Sequence, residues 1–154
     1  MNNKAIVIKF WGVRANTPIV DLKTLKFGGN TSCIEIRCGN NLIIFDAGTG
    51  LRLLGDNIRK LPVEGHIFFS NIRFELISGL PFFAPGYVDA NNFTLWSKKS
   101  DTLSESKEQF LNIFKPPYFP VPLSEMLGIK SFNNFNENIN FFPIRGIKMR
   151  GERI

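Results

Sequence analysis

The chain has 154 residues, 44% of them apolar and 21% charged, with a formal net charge of +6. That is ordinary for a soluble globular protein with a real core, and the charge favours weak attraction to anions without speaking to fold. No stretch reaches the length of a membrane span, and the N-terminus lacks an apolar run followed by a small-residue cleavage site, so a cytoplasmic protein with no membrane partner is expected.

In chain order, Ala5 to Val13 is rich in β-branched and aromatic residues and predicts a strand. Ala15 to Asn30, with a proline, charges and Gly28-Gly29-Asn30, predicts a loop. From Ser32 to Cys38 the residues Cys33, Glu35 and Arg37 alternate with Ile34, Ile36 and Cys38, the pattern of a half-buried strand. Gly39-Asn40-Asn41 predicts a tight turn, and Asn41 to Asp46 the returning strand. After Asp46-Ala-Gly-Thr-Gly50, Leu51, Leu54 and Ile58 recur at helical spacing, with Arg52, Arg59 and Lys60 between or after them, and Leu61-Pro62 stops the helix. His66 to Ser70 predicts a short strand. Leu80 to Tyr87 predicts a packed loop, Phe93 to Ser97 a strand, and Leu103 to Phe114 a helix with Thr102 and Glu105 as a capping box. Lys115 to Pro122 is too proline-rich for helix or inner strand, and Ile129 to Met149 predicts two or three short strands. The order points to a mixed sheet with helices on one face, in a single domain over 1–154.

Three features invite functional readings. There are 16 phenylalanines against 2 tyrosines and 2 tryptophans, so the core, a partner or both must cover much apolar surface. Cys33 and Cys38 point to opposite faces of one strand, which argues against a mutual disulfide or zinc site and for buried thiols in a reducing compartment. Arg145, Lys148, Arg150 and Arg153 crowd the C-terminal stretch: a candidate anion or nucleic-acid tail, or a solvated basic strand end, with no aromatic-basic recognition motif beside it.

Phe10-Trp-Gly-Val-Arg14, Gly28-Gly-Asn-Thr-Ser-Cys33 and Asp46-Ala-Gly-Thr-Gly50, in that order and spacing, resemble the metallo-β-lactamase superfamily. The branch they look like holds ribonuclease Z and the cyclic-phosphate phosphodiesterases of phosphonate breakdown. Gly79-Leu-Pro-Phe-Phe-Ala-Pro85 and Pro117-Tyr-Phe-Pro-Val-Pro122 look like segments of the same branch. The resemblance implies an α/β (α+β) chain forming a half or partial αββα sandwich. In the family, His-x-His-x-Asp-His and later ligands hold two divalent metals, which polarise a phosphoryl oxygen and activate a water.

Where the family carries Ser-His-x-His-x-Asp-His-x-x-Gly, this chain has Ser70-Asn-Ile-Arg-Phe-Glu-Leu-Ile-Ser-Gly79. The flanking Ser70 and Gly79 hold the register. The ligand positions are then Asn71, Arg73, Glu75 and Leu76; Glu75 alone remains a competent metal ligand, and Arg73 is a permanent cation that repels one. The resemblance places Asp46 near the metal site, while its structural reading is to cap the following helix or accept turn amides. Arg73 is either a solvated residue or a replacement for the lost metal charge, pairing with Glu75 or Asp46 in a vestigial site. His66, the one histidine, lies at the start of its predicted strand and reads as a structural or surface residue rather than as a ligand.

The expectation is therefore a catalytically inactive, truncated protein that binds no metal or other cofactor and serves as a binding or interaction module. Relatives run on for roughly another hundred residues by domain arithmetic. A half-sandwich leaves an apolar sheet face to be covered by the C-terminal segment or by a second copy, which predicts a homodimer. The alternatives are a residual metal-dependent phosphodiesterase or other hydrolase, and an anion- or nucleic-acid-binding protein using Arg73 and the basic C-terminus; an unidentified protein or anionic ligand is the remaining partner class.

Overall fold

A computed structural model describes residues 5–58, 62–99, 103–117 and 119–152, without the side chains of 103–106. Six strands form one sheet in sequence order: β1 (Ile6–Gly12), β2 (Cys33–Cys38), β3 (Asn41–Phe45), β4 (Glu64–Phe68), β5 (Asn92–Lys98) and β6 (Ile129–Phe135). The first three pair antiparallel, and the Gly39-Asn40 turn joins β2 and β3 as a short hairpin. From β3 to β6 the pairing is parallel, which requires crossovers. Those crossovers hold α1 (Gly50–Asp56), α2 (Phe74–Ile77) and α3 (Leu103–Ile113). Strands β7 (Asn140–Ile144) and β8 (Ile147–Arg150) form a separate antiparallel hairpin. Thr102, half of the expected capping box, and Arg59, Lys60 and Leu61 lie outside the described residues, as do the side chain of Glu105 and Tyr118.

The helices share one side of the sheet, as the order of elements predicts. Leu51 and Leu54 of α1, Ile77 of α2 and Phe110 and Phe114 at the end of α3 join Leu42, Ile44, Ile67, Phe93 and Leu95 in one core. Every second strand residue points this way, so period two selects the core set. Strand β4 begins two residues before the expected His66, because Glu64 and Gly65 pair with Asn92 and Phe93. A Cβ on Gly65 would press on the Phe93 ring at 2.9 Å. His66 therefore sits mid-strand. Helix α2 has no counterpart in the sequence reading; at one turn it is too short for periodicity to register.

The opposite side is covered unevenly. Over β4 and β5 the hairpin folds back: Phe141 packs on Phe68 and Trp96, with ring centroids 6.1 and 5.6 Å apart, and stacks on Phe135 at 5.3 Å. Over β1 no such cover exists among the described residues. Ile6, Ile8 and Phe10, opposite Cys38, Ile36 and Ile34 in the register, are 65%, 55% and 63% exposed. Strand β2 thus turns its isoleucines to the open face and buries Glu35 under the helices. No helix among the described residues is long and apolar enough to cross a membrane.

Candidate functional site

The conspicuous loops of the sequence meet at one place, the carboxyl ends of β3 and β4. Thr31 and Thr49 clasp each other, the Thr31 amide donating to Thr49 Oγ1 at 3.0 Å and the Thr49 amide to Thr31 Oγ1 at 2.8 Å. The Ala47 amide donates to the Leu76 carbonyl at 2.7 Å, and the Gly79 amide to the Ala47 carbonyl at 2.8 Å. Here glycine is required by contact: a Cβ on Gly79 would lie 2.0 Å from the Gly48 carbonyl oxygen. The segments 28–33, 46–50 and 70–79 are therefore one interlocked unit, which is why their residues stand out together.

Asp46 is its polar centre. At φ 60° it occupies the left-handed region that a non-glycine residue rarely takes. Its carboxylate accepts from the Ser70 amide and the Ser70 hydroxyl, each at 2.9 Å, and from the Ser32 hydroxyl at 3.2 Å. Burial raises its pKa; the Ser70 and Ser32 hydrogen bonds and the Arg73 charge pull the other way. Asp46 does not cap the next helix: Thr49 is the N-cap residue of α1 and makes no side-chain cap. The turn-amide role is the one present, directed across to β4.

The four positions that the resemblance assigns to metal ligands diverge. Asn71 is exposed. Leu76 is buried in the core at 7% exposure. Arg73 Nε lies 2.9 Å from Glu75 Oε1, so the guanidinium pairs with one of the two carboxylates, and its charge is felt at the other. Among the described residues no group of three or more His, Cys, Asp or Glu side chains could hold a metal ion. A pair of divalent cations demands several converging anionic or imidazole donors; Asp46 and Glu75, with a guanidinium on one, do not fit that demand, and no metal-dependent step follows from these side chains.

The other candidate residues lie elsewhere. His66 Nδ1 accepts from Trp96 Nε1 at 3.0 Å on the sheet face away from the helices, and burial lowers its pKa, with Glu64 opposing. Arg145 and Lys148 are exposed on the hairpin, Arg150 pairs with Glu152 at 2.9 Å, and Arg153 lies outside the described residues. Cys33 and Cys38 are free thiols on opposite faces; burial beside Asp46 and Glu35 pushes the Cys33 pKa far up. Two features had no forecast. One is the buried Glu35, which accepts from Trp11 Nε1 at 2.8 Å and from Arg37 Nε at 2.6 Å. The other is an aromatic cavity between the sheet and the β7–β8 hairpin. A glutamate amid alternating isoleucines signals the first; the abundance of phenylalanine is the faint signal for the second.

No protein-family model and no curated protein matches the sequence. Solved structures do match. The metallo-beta-lactamase fold protein YhfI from Bacillus subtilis superposes with a TM-score of 0.59 at 12% identity, over 89% of this chain and 48% of its own. A prospective metallo-beta-lactamase from Thermotoga maritima superposes at 0.49, also at 12% identity, over 89% of this chain and 62% of its own. This chain spans about half the length of YhfI. With its mixed six-stranded sheet and helices on one face, it has a partial metallo-beta-lactamase fold.

Proposed function

We propose that this chain is a degenerate metallo-β-lactamase-type domain, a pseudoenzyme that acts as a binding or interaction module and homodimerises through its open sheet face. The observation that carries the first part is the Arg73–Glu75 pair at 2.9 Å, with the Arg73 charge felt at Asp46: a guanidinium occupies one position that the resemblance assigns to a ligand and pairs with the carboxylate at another. Leu76, at a third ligand position, is core. The dimer is supported by Ile6, Ile8 and Phe10, three large apolar side chains more than half exposed on one edge strand. An isologous pairing covers both copies of such a face at once. The two free thiols suit a reducing cytoplasm.

The test is one preparation of the chain, incubated with zinc or manganese, desalted and assayed for metal content, for turnover of bis(p-nitrophenyl) phosphate, and for molar mass by light scattering. The expected result is no stoichiometric metal, no turnover above buffer and a dimer mass. Retention of one or more metal ions per chain, or turnover lost on Asp46→Ala, would overturn the pseudoenzyme reading; a monomer mass at high protein concentration would overturn the dimer.

A further inference from the structure

The aromatic cavity occupies about 220 Å³ between the face of β3–β6 that points away from the helices and the β7–β8 hairpin. Its walls are Phe45, Phe68, Phe135, Phe141 and Met149, and Ser70 closes the end nearest Asp46. Its wall rings include one stacked pair, Phe135 and Phe141 within 5° of parallel, with Phe68 tilted 31° from Phe45 and 48° from Phe141. It opens at the carboxyl ends of the parallel strands. An apolar cavity of about 150 Å³ already admits benzene, so the volume here suits two fused rings.

Its polar groups narrow the ligand further. Lys98 and Arg150 stand at the rim, and each has an acid at hand: Lys98 Nζ is 2.8 Å from Glu137, and Arg150 Nε is 2.9 Å from Glu152. The rim is balanced, which favours a neutral ligand over an anion. Ser70 Oγ has one proton, and it lies 2.9 and 3.1 Å from the two Asp46 oxygens. With that proton committed, the hydroxyl can offer only a lone pair inward.

We propose that the cavity is a binding site for a neutral, planar, two-ring aromatic compound bearing one hydroxyl or N–H group, which donates a hydrogen bond to Ser70 Oγ. The site depends neither on metal nor on dimerisation, so it stands or falls separately from the pseudoenzyme reading.

The experiment is an NMR titration of the isotope-labelled full chain with 2-naphthol, naphthalene and 2-naphthoate. Saturable shifts with 2-naphthol are expected at Phe45, Phe68, Phe135, Phe141 and Met149. Ser70→Ala should weaken 2-naphthol about fivefold, the worth of one neutral hydrogen bond, and leave naphthalene unchanged. Met149→Trp should fill the space and abolish binding of both, with a retained melting transition showing that the variant folds; Phe45→Trp serves where it does not. Absence of saturable shifts up to the solubility limit overturns the proposal. So do shifts centred on Ile6, Ile8 and Phe10, equal or tighter binding of 2-naphthoate, or a Ser70→Ala effect shared by naphthalene. Shifts in the cavity that grow with protein concentration alone would assign the space to a second copy and also overturn it.

Discussion

Replacing Phe10 by alanine separates association from folding. In one protomer Phe10 is 63% exposed at the open edge of the sheet, so truncation removes little core packing, and the fold should lose no more than about 0.5 kcal/mol. In the proposed dimer the same ring is covered, and a twofold axis counts each substitution twice. Burying a large apolar side chain completely contributes about 1.5–3 kcal/mol, so covering the exposed 63% of Phe10 contributes about 1–2 kcal/mol. The pair of lost rings should therefore weaken the dimer by about 2–4 kcal/mol, which at 1.4 kcal/mol per decade is roughly 30- to 10³-fold in Kd. Sedimentation velocity over a wide concentration range measures this directly. Lys9→Ala is the control: Lys9 lies over the Trp11 ring, 3.6 Å from its centroid, on the helix side of the same strand, and should leave association unchanged. A Kd for Phe10→Ala within threefold of the parent, or equal effects from Phe10 and Lys9, would show that this face does not join two copies.

Gly79→Ala drives a methyl against the backbone oxygen of Gly48, where no side chain can yield; it should cost about 2–3 kcal/mol, or about 5–10 °C in Tm, and a shift below about 2 °C would show that the interlocked loops are looser than described. Glu35→Ala strands the Trp11 indole N–H and should cost about 2–3 kcal/mol by denaturant unfolding, whereas Arg37→Ala, whose side chain is 34% exposed, should cost under about 1 kcal/mol. Asp46→Asn tests the raised pKa of Asp46. Because the folded-state pKa lies above 3.8, the native state holds its proton more tightly than the unfolded chain, and ionisation subtracts stability as pH climbs from about 3.8 through the folded value. Asparagine, which tolerates positive φ, should remove that part of the pH dependence; urea midpoints that keep the wild-type slope across the window would contradict it.

The sheet was legible because alternation is a local signal: β1, β2, β3 and β5 fall close to where β-branched and aromatic residues place them. The start of β4 was hidden because Gly65 is there for the Phe93 ring, a contact made across the sheet. The site was legible in part for a different reason. Ser70 and Gly79 stand out in the sequence and mark the two ends of a loop whose amides and carbonyls are tied to the Asp46 loop. What Asp46 touches could not be read, since Ser32 and Ser70 are 14 and 24 residues away. The cavity needs Phe141 to return over Phe68 and Trp96, and no local pattern encodes that return.

Strand β2 turns its charges inward and its isoleucines outward. A slip of one residue would exchange the two sets, sending Ile34 and Ile36 under α1 and Glu35 into water. Judged by burial alone the slipped register is attractive, so the folding chain faces a competitor that most strands do not. Native pairing is held by groups a slip would separate: the Trp11–Glu35–Arg37 cluster and the close seat of Gly12 on the Thr31 carbonyl. The open face is thus a source of frustration in the landscape as well as a surface. Anything that covers Ile34 and Ile36 in their native orientation would remove the incentive to slip and smooth the route to the folded state.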